Sequence, residues 1–501
     1  MRWLWRASLA ALLLVLLATA MLQMQKRLPP GVHVRSQWQS IPSAQLRFLR
    51  DQTAADARGQ PLVEQQIQAA LLQMIASART FVLIDTGLFG DLPAAGPAAA
   101  RLRTAPSLAT DLAEALLRRK AEQPALRALL VTDPTTTLLN GTQHTIEALR
   151  AAGIDVVTVD VARLRVPDAA SQALLTLCCR WGGDVNAAGS WPNPAGVGPV
   201  SVAFAAWTQL HGFQRSHRQF LIADDGAAHL VGVVFSRPLH AEAGIHTATA
   251  LQLRGSVLEP LLEAEFVVAQ FSGWNDAQAL QAQVRRLHQD AQIEAVTQNA
   301  AADTRVCIAT EGALRDALLD AIAATGRGAS IELAALYLSE RALVTALVDA
   351  SRRGAAVRVL LDPGKDAYGY ARDGFPNRQV ASELVAASDG AVRVRWYRTH
   401  GEQFSPGLIL IRSNGRVRLM VGTAELSRGD LDDYNLAAGM LADAPASAPA
   451  AAEALNWFDI LWDNRAPSGI EYSADVDVYA DASQLHYWRY RLLEASGASF
   501  D

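Results

Sequence analysis

Cysteine is scarce in this chain: three thiols in 501 residues, Cys178 and Cys179 adjacent and Cys307 far away, make no disulfide framework. They read as small buried hydrophobes. A basic excess is missing as well. With 45 Lys plus Arg against 50 Asp plus Glu, the formal net charge is -5, so the electrostatic footprint of a nucleic-acid-binding protein is absent. No metal motif is present either. Asp430, Asp432 and Asp433 lie close together but lack the EF-hand pattern, and they fit a helix cap or a solvated turn. Asn140-Gly141-Thr142 matches a glycosylation sequon of a kind common by chance and carries no weight.

What is abundant is apolar residues, half of the composition, in a chain long enough for two substantial domains around a sizeable core. At the amino end Arg2 and Arg6 precede an uncharged run from Ala7 to Gln25, and Lys26-Arg27 close it. Residues 1–27 therefore read as a signal peptide or a membrane anchor. Ala18-Thr19-Ala20 would serve as a cleavage site, yet the run is long enough to span a bilayer uncleaved. The preferred reading is an uncleaved anchor with the body exported.

Beyond Pro29-Pro30-Gly31 the pattern alternates between helix and strand. Leu62 to Ala78 carries apolar residues at helical spacing, and Thr80 to Asp85 reads as a buried strand. The Ala/Pro/Gly-rich segment Leu92 to Pro106 reads as a loop, Leu108 to Lys120 as a helix, and Leu126 to Thr132 as a strand ending at Asp133-Pro134. Thr145 to Ala152 and Asp155 to Val159 continue as helix and strand, and Trp191-Pro192-Asn193-Pro194 as a surface loop. Such alternation predicts an α/β sheet with parallel strands. The second half repeats the plan: helices Leu314 to Ala324 and Glu340 to Arg353, strands Ser330 to Ala335, Val357 to Leu361 and Val392 to Trp396. Two copies of one α/β unit facing each other is the economical reading. The division is 28–275 and 301–501, joined by a helical linker at 276–300 whose charges form a solvated face.

The stretch with most chemical content is His217 to Asp224. On an extended strand, residues two apart share a face, so His217 and Gln219 point together while Phe220 and Ile222 face the core. An imidazole attacks phosphorus or moves a proton near neutral pH, and a cation two residues along would hold phosphate oxygens. The second half arrives at a comparable place through Thr399-His400-Gly401-Glu402-Gln403-Phe404, strand Leu408 to Ile411 and strand Val417 to Val421.

His217, Asp224 and their spacing resemble the HxKxxxxD signature of the phospholipase D superfamily. The chain is similar to bacterial membrane-associated, cardiolipin synthase-like members. The likeness extends to Phe81–Phe89, Val131-Thr132-Asp133-Pro134, Ser216–Gly226, Thr310-Glu311, Tyr337-Leu338-Ser339, Leu361–Ala381, Arg395–Phe404 and Leu431–Leu436. The resemblance implies two α/β halves packed pseudo-symmetrically around a central cleft, behind an N-terminal hydrophobic helix. It implies a phosphohistidine nucleophile on one motif, a histidine acid on the other, two lysines on the phosphoryl group and no cofactor. A phospholipid or other phosphodiester would occupy the cleft. The site would face the periplasm from a bacterial inner membrane, or be periplasmic or secreted after cleavage.

The sequence departs from that pattern. Gln219 stands where the first lysine belongs, Ser405 replaces the second histidine, Gly407 the second lysine and Arg412 the second aspartate. The phosphate-side turns read Gly232-Val233-Val234-Phe235 and Gly422-Thr423-Ala424-Glu425. His400 is a substitute acid or else a structural loop residue, and Lys365 and Arg378 are candidate anion contacts. Around them, His211, His246, Glu311 and Glu402 fit polar groups satisfied by their neighbours. The expectation is a catalytically impaired phospholipid-binding protein. The alternative is an active phosphatidyltransferase or phosphodiesterase of cardiolipin-synthase type working through His217.

Overall fold

The computed structural model describes residues 2–55, 61–90, 108–138, 143–166, 169–178, 189–192, 201–210, 214–227, 229–236, 239–240, 246–276, 278, 280–282, 284, 302–367, 370–371, 373–400, 402–465 and 469–496. The loop expected at 92–106, the sequon, Cys179, His211 and most of the expected linker lie outside these residues.

Two large sheets carry the fold. The first is built on seven strands, β1 Leu46–Ala55, β2 Phe81–Thr86, β3 Arg127–Thr132, β4 Asp155–Thr158, β5 Gln219–Asp224, β6 Leu230–Phe235 and β7 Ala248–Arg254, in the spatial order β1-β7-β6-β5-β2-β3-β4. The second is built on β8 Thr304–Thr310, β9 Ser330–Ala335, β10 Ala356–Leu361, β11 Val392–Tyr397, β12 Leu408–Ser413, β13 Arg416–Gly422 and β14 Ala438–Pro445, in the order β8-β14-β13-β12-β9-β10-β11. Each strand of the second sheet repeats the one seven before it. Short strands at 61–65, 39–41 and 473–475 extend the edges.

The sheets are mixed rather than parallel. Only β2-β3-β4 and β9-β10-β11 run parallel; the remaining neighbours are antiparallel. The parallel steps are the ones joined through helices, as a crossover requires, whereas β5-β6 and β12-β13 are hairpins. The helix expected from Leu62 begins at Gln66, because Pro61–Gln65 pairs with β1 first.

Both faces of the central strands are buried. In β5, Phe220 and Ile222 join a core shared with Leu408 and Leu410 of β12, while Leu221 and Ala223 pack under the helices of their own half. Ile409 and Ile411 do the same in the second half. One core thus fuses the two sheets, and each half has an outer core of its own, which explains the continuous apolar runs that periodicity alone cannot orient. Cys307 sits in the second-half core, free and buried.

Four helices bear on the description of the site. Helix α1, Arg2–Met24, is apolar and exposed, and Trp5–Gln23 is long and apolar enough to cross a membrane. It packs against α2, Ala169–Cys178. The single turn α3, Arg428–Leu431, follows β13, and α4, Gln484–Ser496, lies near the carboxyl end.

Candidate functional site

The loops entering β5 and β12 cross between the halves in matching fashion. Ser216 bridges Leu436, and Thr247 bridges Phe404. His217 N donates to Leu436 O at 2.7 Å, and Ser405 N donates to Thr247 O at 2.9 Å. A carboxylate at the end of each third strand fixes these loops. Asp133 Oδ2 accepts from Ser216 N at 2.7 Å, and Asp362 Oδ2 accepts from Phe404 N at 2.7 Å. Each Asp is followed by Pro, a repeat visible in the sequence as the twin Asp133-Pro134 and Asp362-Pro363.

Among the described residues, His217 is the motif residue with a built chemical partner. Its Nδ1 lies 3.0 and 3.1 Å from the two carboxylate oxygens of Asp430, which belongs to the other half. The histidine side chain is 21% exposed and Asp430 fully buried. Asp430 is therefore no solvated turn residue. It also accepts from Glu425 N at 2.7 Å and from Asn435 Nδ2 at 2.8 Å. A carboxylate held by two donors and facing Nδ1 fixes the tautomer with Nδ1–H, which makes Nε2 the basic, nucleophilic nitrogen. The neighbouring aspartates go elsewhere, Asp432 to Arg315 at 2.7 Å and Asp433 to His33 at 3.0 Å. No metal-binding group of acidic, His and Cys residues occurs among the described residues.

Asp224 does structural work. Its carboxylate accepts from the backbone N–H of Arg79, Thr80, Phe81 and Gly226 at 2.7–3.1 Å, so it ties the entry of β2 to the end of β5. Arg412 occupies the matching place on β12 and reaches Ser330 Oγ at the start of β9. Charge at that position is reversed, but the contact between the same two strands is kept.

At the two positions where the resemblance implies lysines stand Gln219 and Gly407. Gln219 Oε1 and Ser405 Oγ are buried without a hydrogen-bond partner among the described residues. Gly407 adopts φ +52°, and a Cβ there would come within 2.3 Å of Gly422 O. No lysine fits this backbone. Ladder register also shows that the turn matching Gly422-Thr423 is Phe235-Ser236, not Gly232-Val233: Val234 pairs with Phe220 as Val421 pairs with Leu408. Between the register-matched pairs Asp224–Leu230 and Arg412–Val417 the first connection is one residue longer, and the glycine stands at a different register position in the two halves. Ser236 and Thr423 spend their hydroxyls on the backbone of the following strand, at Thr249 and Ala438.

Beneath His217 lies a buried ionic group that spacing did not reveal. Arg218 is fully buried; it donates to Glu311 Oε1 at 2.8 and 3.0 Å, to Glu265 Oε2 at 2.9 Å and to Val32 O at 3.1 Å. Burial works against the charged guanidinium, but Glu311, Glu265 and Asp85 outweigh it and raise its pKa. Burial pushes Glu311 up to about 6 against the opposing pull of Arg218. Asp85 is raised by burial and by its contact with Glu265. Glu311 holds a left-handed backbone, φ 47°, and its Oε1 accepts from Ala437 N, next to the Leu436 that bonds His217. One arginine thereby clamps both halves immediately behind the His217–Asp430 pair. The sequence signal was slight: Arg218 lies in the polar run Gln214 to Gln219, and Glu311 in Thr310-Glu311.

The other expected residues are placed apart from this pair. His400 N donates to Glu402 Oε2 at 2.7 Å, and its ring lies 3.6 Å from Glu402 Oε1. Lys365 Nζ donates to Thr399 O at 2.8 Å. Arg378 donates to Pro363 O at 3.2 Å with its guanidinium over the Tyr479 ring. His246 is buried beside Thr247.

Residues 318–462 match a family model described as cardiolipin synthase, phospholipase D-like domain. No curated protein matches the sequence. Among solved structures, the chain is similar to phosphatidylserine synthase of Haemophilus influenzae Rd KW20, at 11% identity and a TM-score of 0.53, with 95% of each chain covered. Polyphosphate kinase from Porphyromonas gingivalis is matched over 90% of this chain and 53% of its own, at 10% identity and a TM-score of 0.41. Nuc of Salmonella typhimurium, a phospholipase D family member, is matched over 34% of this chain and 97% of its own, at 17% identity and a TM-score of 0.24. The first likeness gives the fold over nearly the whole chain, and the family match runs through Ser405 and Gly407.

Proposed function

We propose that this chain, whose residues 318–462 match a phospholipase D-like family model and whose fold is similar to that of a phosphatidylserine synthase, is a phospholipase D-type, membrane-tethered phosphodiester-binding protein with phospholipid as its ligand class and with strongly impaired catalysis. The observation that carries this reading is Gly407. Where a phosphate-holding lysine belongs, the backbone is left-handed and the space is filled by Gly422 O. Ser405 supplies no acid near neutral pH, and Gln219 supplies hydrogen bonds without charge. Loss of a general acid costs about 10² to 10⁴ in rate and loss of one preorganised donor about 10² to 10³. These effects do not simply multiply. Together they leave a site that positions its ligand far better than it turns it over. In this reading the body lies on the periplasmic side of a bacterial inner membrane, with α1 as its anchor.

The His217–Asp430 pair favours a second reading, residual transfer through a phosphohistidine. Nε2 would attack phosphorus, forming a P–N bond as the P–O bond to the leaving alcohol breaks. The departing alkoxide needs a proton, and Ser405, at the matching position of the second half, cannot give it near neutral pH. Activated esters, whose leaving groups need no acid, would therefore react best.

Full-length protein incubated with phosphatidylglycerol and cardiolipin vesicles tests both readings. Binding with trace acid-labile phosphohistidine at His217 and negligible headgroup release is the expected result. Rapid headgroup exchange abolished by His217→Ala would overturn the impaired reading in favour of the enzyme. Vesicle contact with no protection of the His217 cleft from chemical modification would overturn ligand binding there.

A further inference from the structure

Helix α4 has two working faces. Its inner face docks through Tyr490, fully buried, whose hydroxyl donates to Ser339 O at 3.3 Å, and through Tyr487 packed beside it. Its outer face carries Leu485, Trp488 and Leu492, exposed by 77%, 66% and 71%. Positions i, i+3 and i+7 form one stripe on a helix. A surface helix that buries one face is expected to be polar on the other. Here the solvent side is a leucine–tryptophan stripe flanked by Arg491, by Arg489, which lies 3.8 Å from Asp373, and by His486, which pairs with Asp481 at 2.7 Å, a composition suited to the boundary between headgroups and acyl chains.

Contacts within the chain connect this helix to the membrane-spanning candidate. Arg428 of α3 donates to Ala495 O at the end of α4 and pairs with Asp432 at 3.5 Å. Arg165 donates to Asp432 O at 3.2 Å, and Lys26, just past α1, donates to Ala162 O. The end of α4, the turn that bears Asp430 and the end of α1 thus form one connected row. A second apolar group, with Trp191 and Phe204 exposed and Trp207 partly buried, precedes Gln214, which contacts the same row. Trp191, Phe204 and Trp207 cluster with ring centroids 4.9–5.9 Å apart, and the following Gln214 donates to Leu164 O and Arg165 O.

We infer that the outer face of α4 lies on an anionic lipid surface as a second membrane contact, so that α1 and α4 together hold the His217 site at the bilayer. The occupant is the lipid surface rather than a second copy because the stripe joins, through this row, to an exposed helix long and apolar enough to cross a bilayer, and because its flanks are basic. The contact does not depend on whether the site turns over.

The test uses the full chain in vesicles of phosphatidylethanolamine and phosphatidylglycerol carrying a phospholipid with a diazirine in its acyl chain. After illumination, adducts are mapped by mass spectrometry. Adducts are expected on the 484–496 peptide as well as on α1. Replacing Leu485→Asn, Trp488→Gln and Leu492→Asn together is expected to lower the α4 adducts about tenfold while α1 labelling stays unchanged, since the apolar area inserted is removed. Labelling confined to α1 in the unmodified protein would overturn the inference. So would a protein–protein cross-link between α4 helices of two copies in place of lipid adducts.

Discussion

His217 and Ser405 stand at matching points of two halves that share strand order, twin Asp-Pro anchors and a crossed pair of bridges. His217 meets a buried carboxylate and has a four-way ionic group behind it. Ser405 has a buried hydroxyl without a hydrogen-bond partner among the described residues and is followed by Pro406 and a left-handed glycine. The difference teaches that frame and chemistry are separable. Backbone contacts that carry the loops survive in both halves because removing them would expose buried N–H groups in either. The charged atoms above them are free to change, because only a bound phosphoryl group needs them.

The largest expected contrast is chemical. His217→Ala is expected to remove phosphohistidine formation entirely, while Ser405→Ala leaves it within about twofold, since Ser405 provides neither acid nor base at neutral pH. Asp430→Asn is expected to lower adduct formation about 10² to 10⁴-fold by presenting the wrong tautomer. Quantitative mass spectrometry of acid-labile adducts checks all three.

Stability separates the halves next. Arg218→Met leaves two or more buried carboxylates unpaired and is expected to cost about 3–5 kcal/mol in denaturant unfolding. Asp224→Asn removes charge from four backbone bonds and is expected to cost about 1.5–3 kcal/mol, whereas Arg412→Ala at the matching, exposed place costs under about 1 kcal/mol. Gly407→Lys, the apparent repair of the second motif, is expected to destabilise by about 1–3 kcal/mol, because the new side chain meets left-handed backbone and Gly422 O. Gln219→Lys is tolerated at the half-exposed strand start. A rescue of turnover by Gly407→Lys with unchanged stability would break the contrast between the halves.

A further effect concerns pH. Glu311 is raised from 4.5 to about 6, so its proton is held more tightly in the folded state. Its contribution to stability is complete below about 4.5 and is lost as pH rises through about 6. The stability difference between the native protein and Glu311→Gln is therefore expected to shrink by about 1.5 kcal/mol from about pH 4.5 to about pH 6.5. Urea unfolding at the two pH values checks this.

Strand and helix positions in the two halves were legible from the sequence because apolar runs such as Phe220–Ala223 and Leu408–Ile411 alternate with periodic helices. The duplicated plan and the apolar character of α1 were legible for the same local reason: each is written in consecutive residues. The antiparallel arrangement around β6, β7, β13 and β14 was not, since direction is decided by which strand lies alongside. Asp430 looked like one of three acidic turn residues, 213 positions from its histidine. Its role comes from the crossing of two halves, which brings a carboxylate out of water and up to an imidazole. Arg218 and Glu311, likewise, became a clamp only when burial removed the solvent that would otherwise have screened them. The chain's own order determined which side chains were available; tertiary packing decided which carboxylate meets His217, and why a side chain has no room at Gly407.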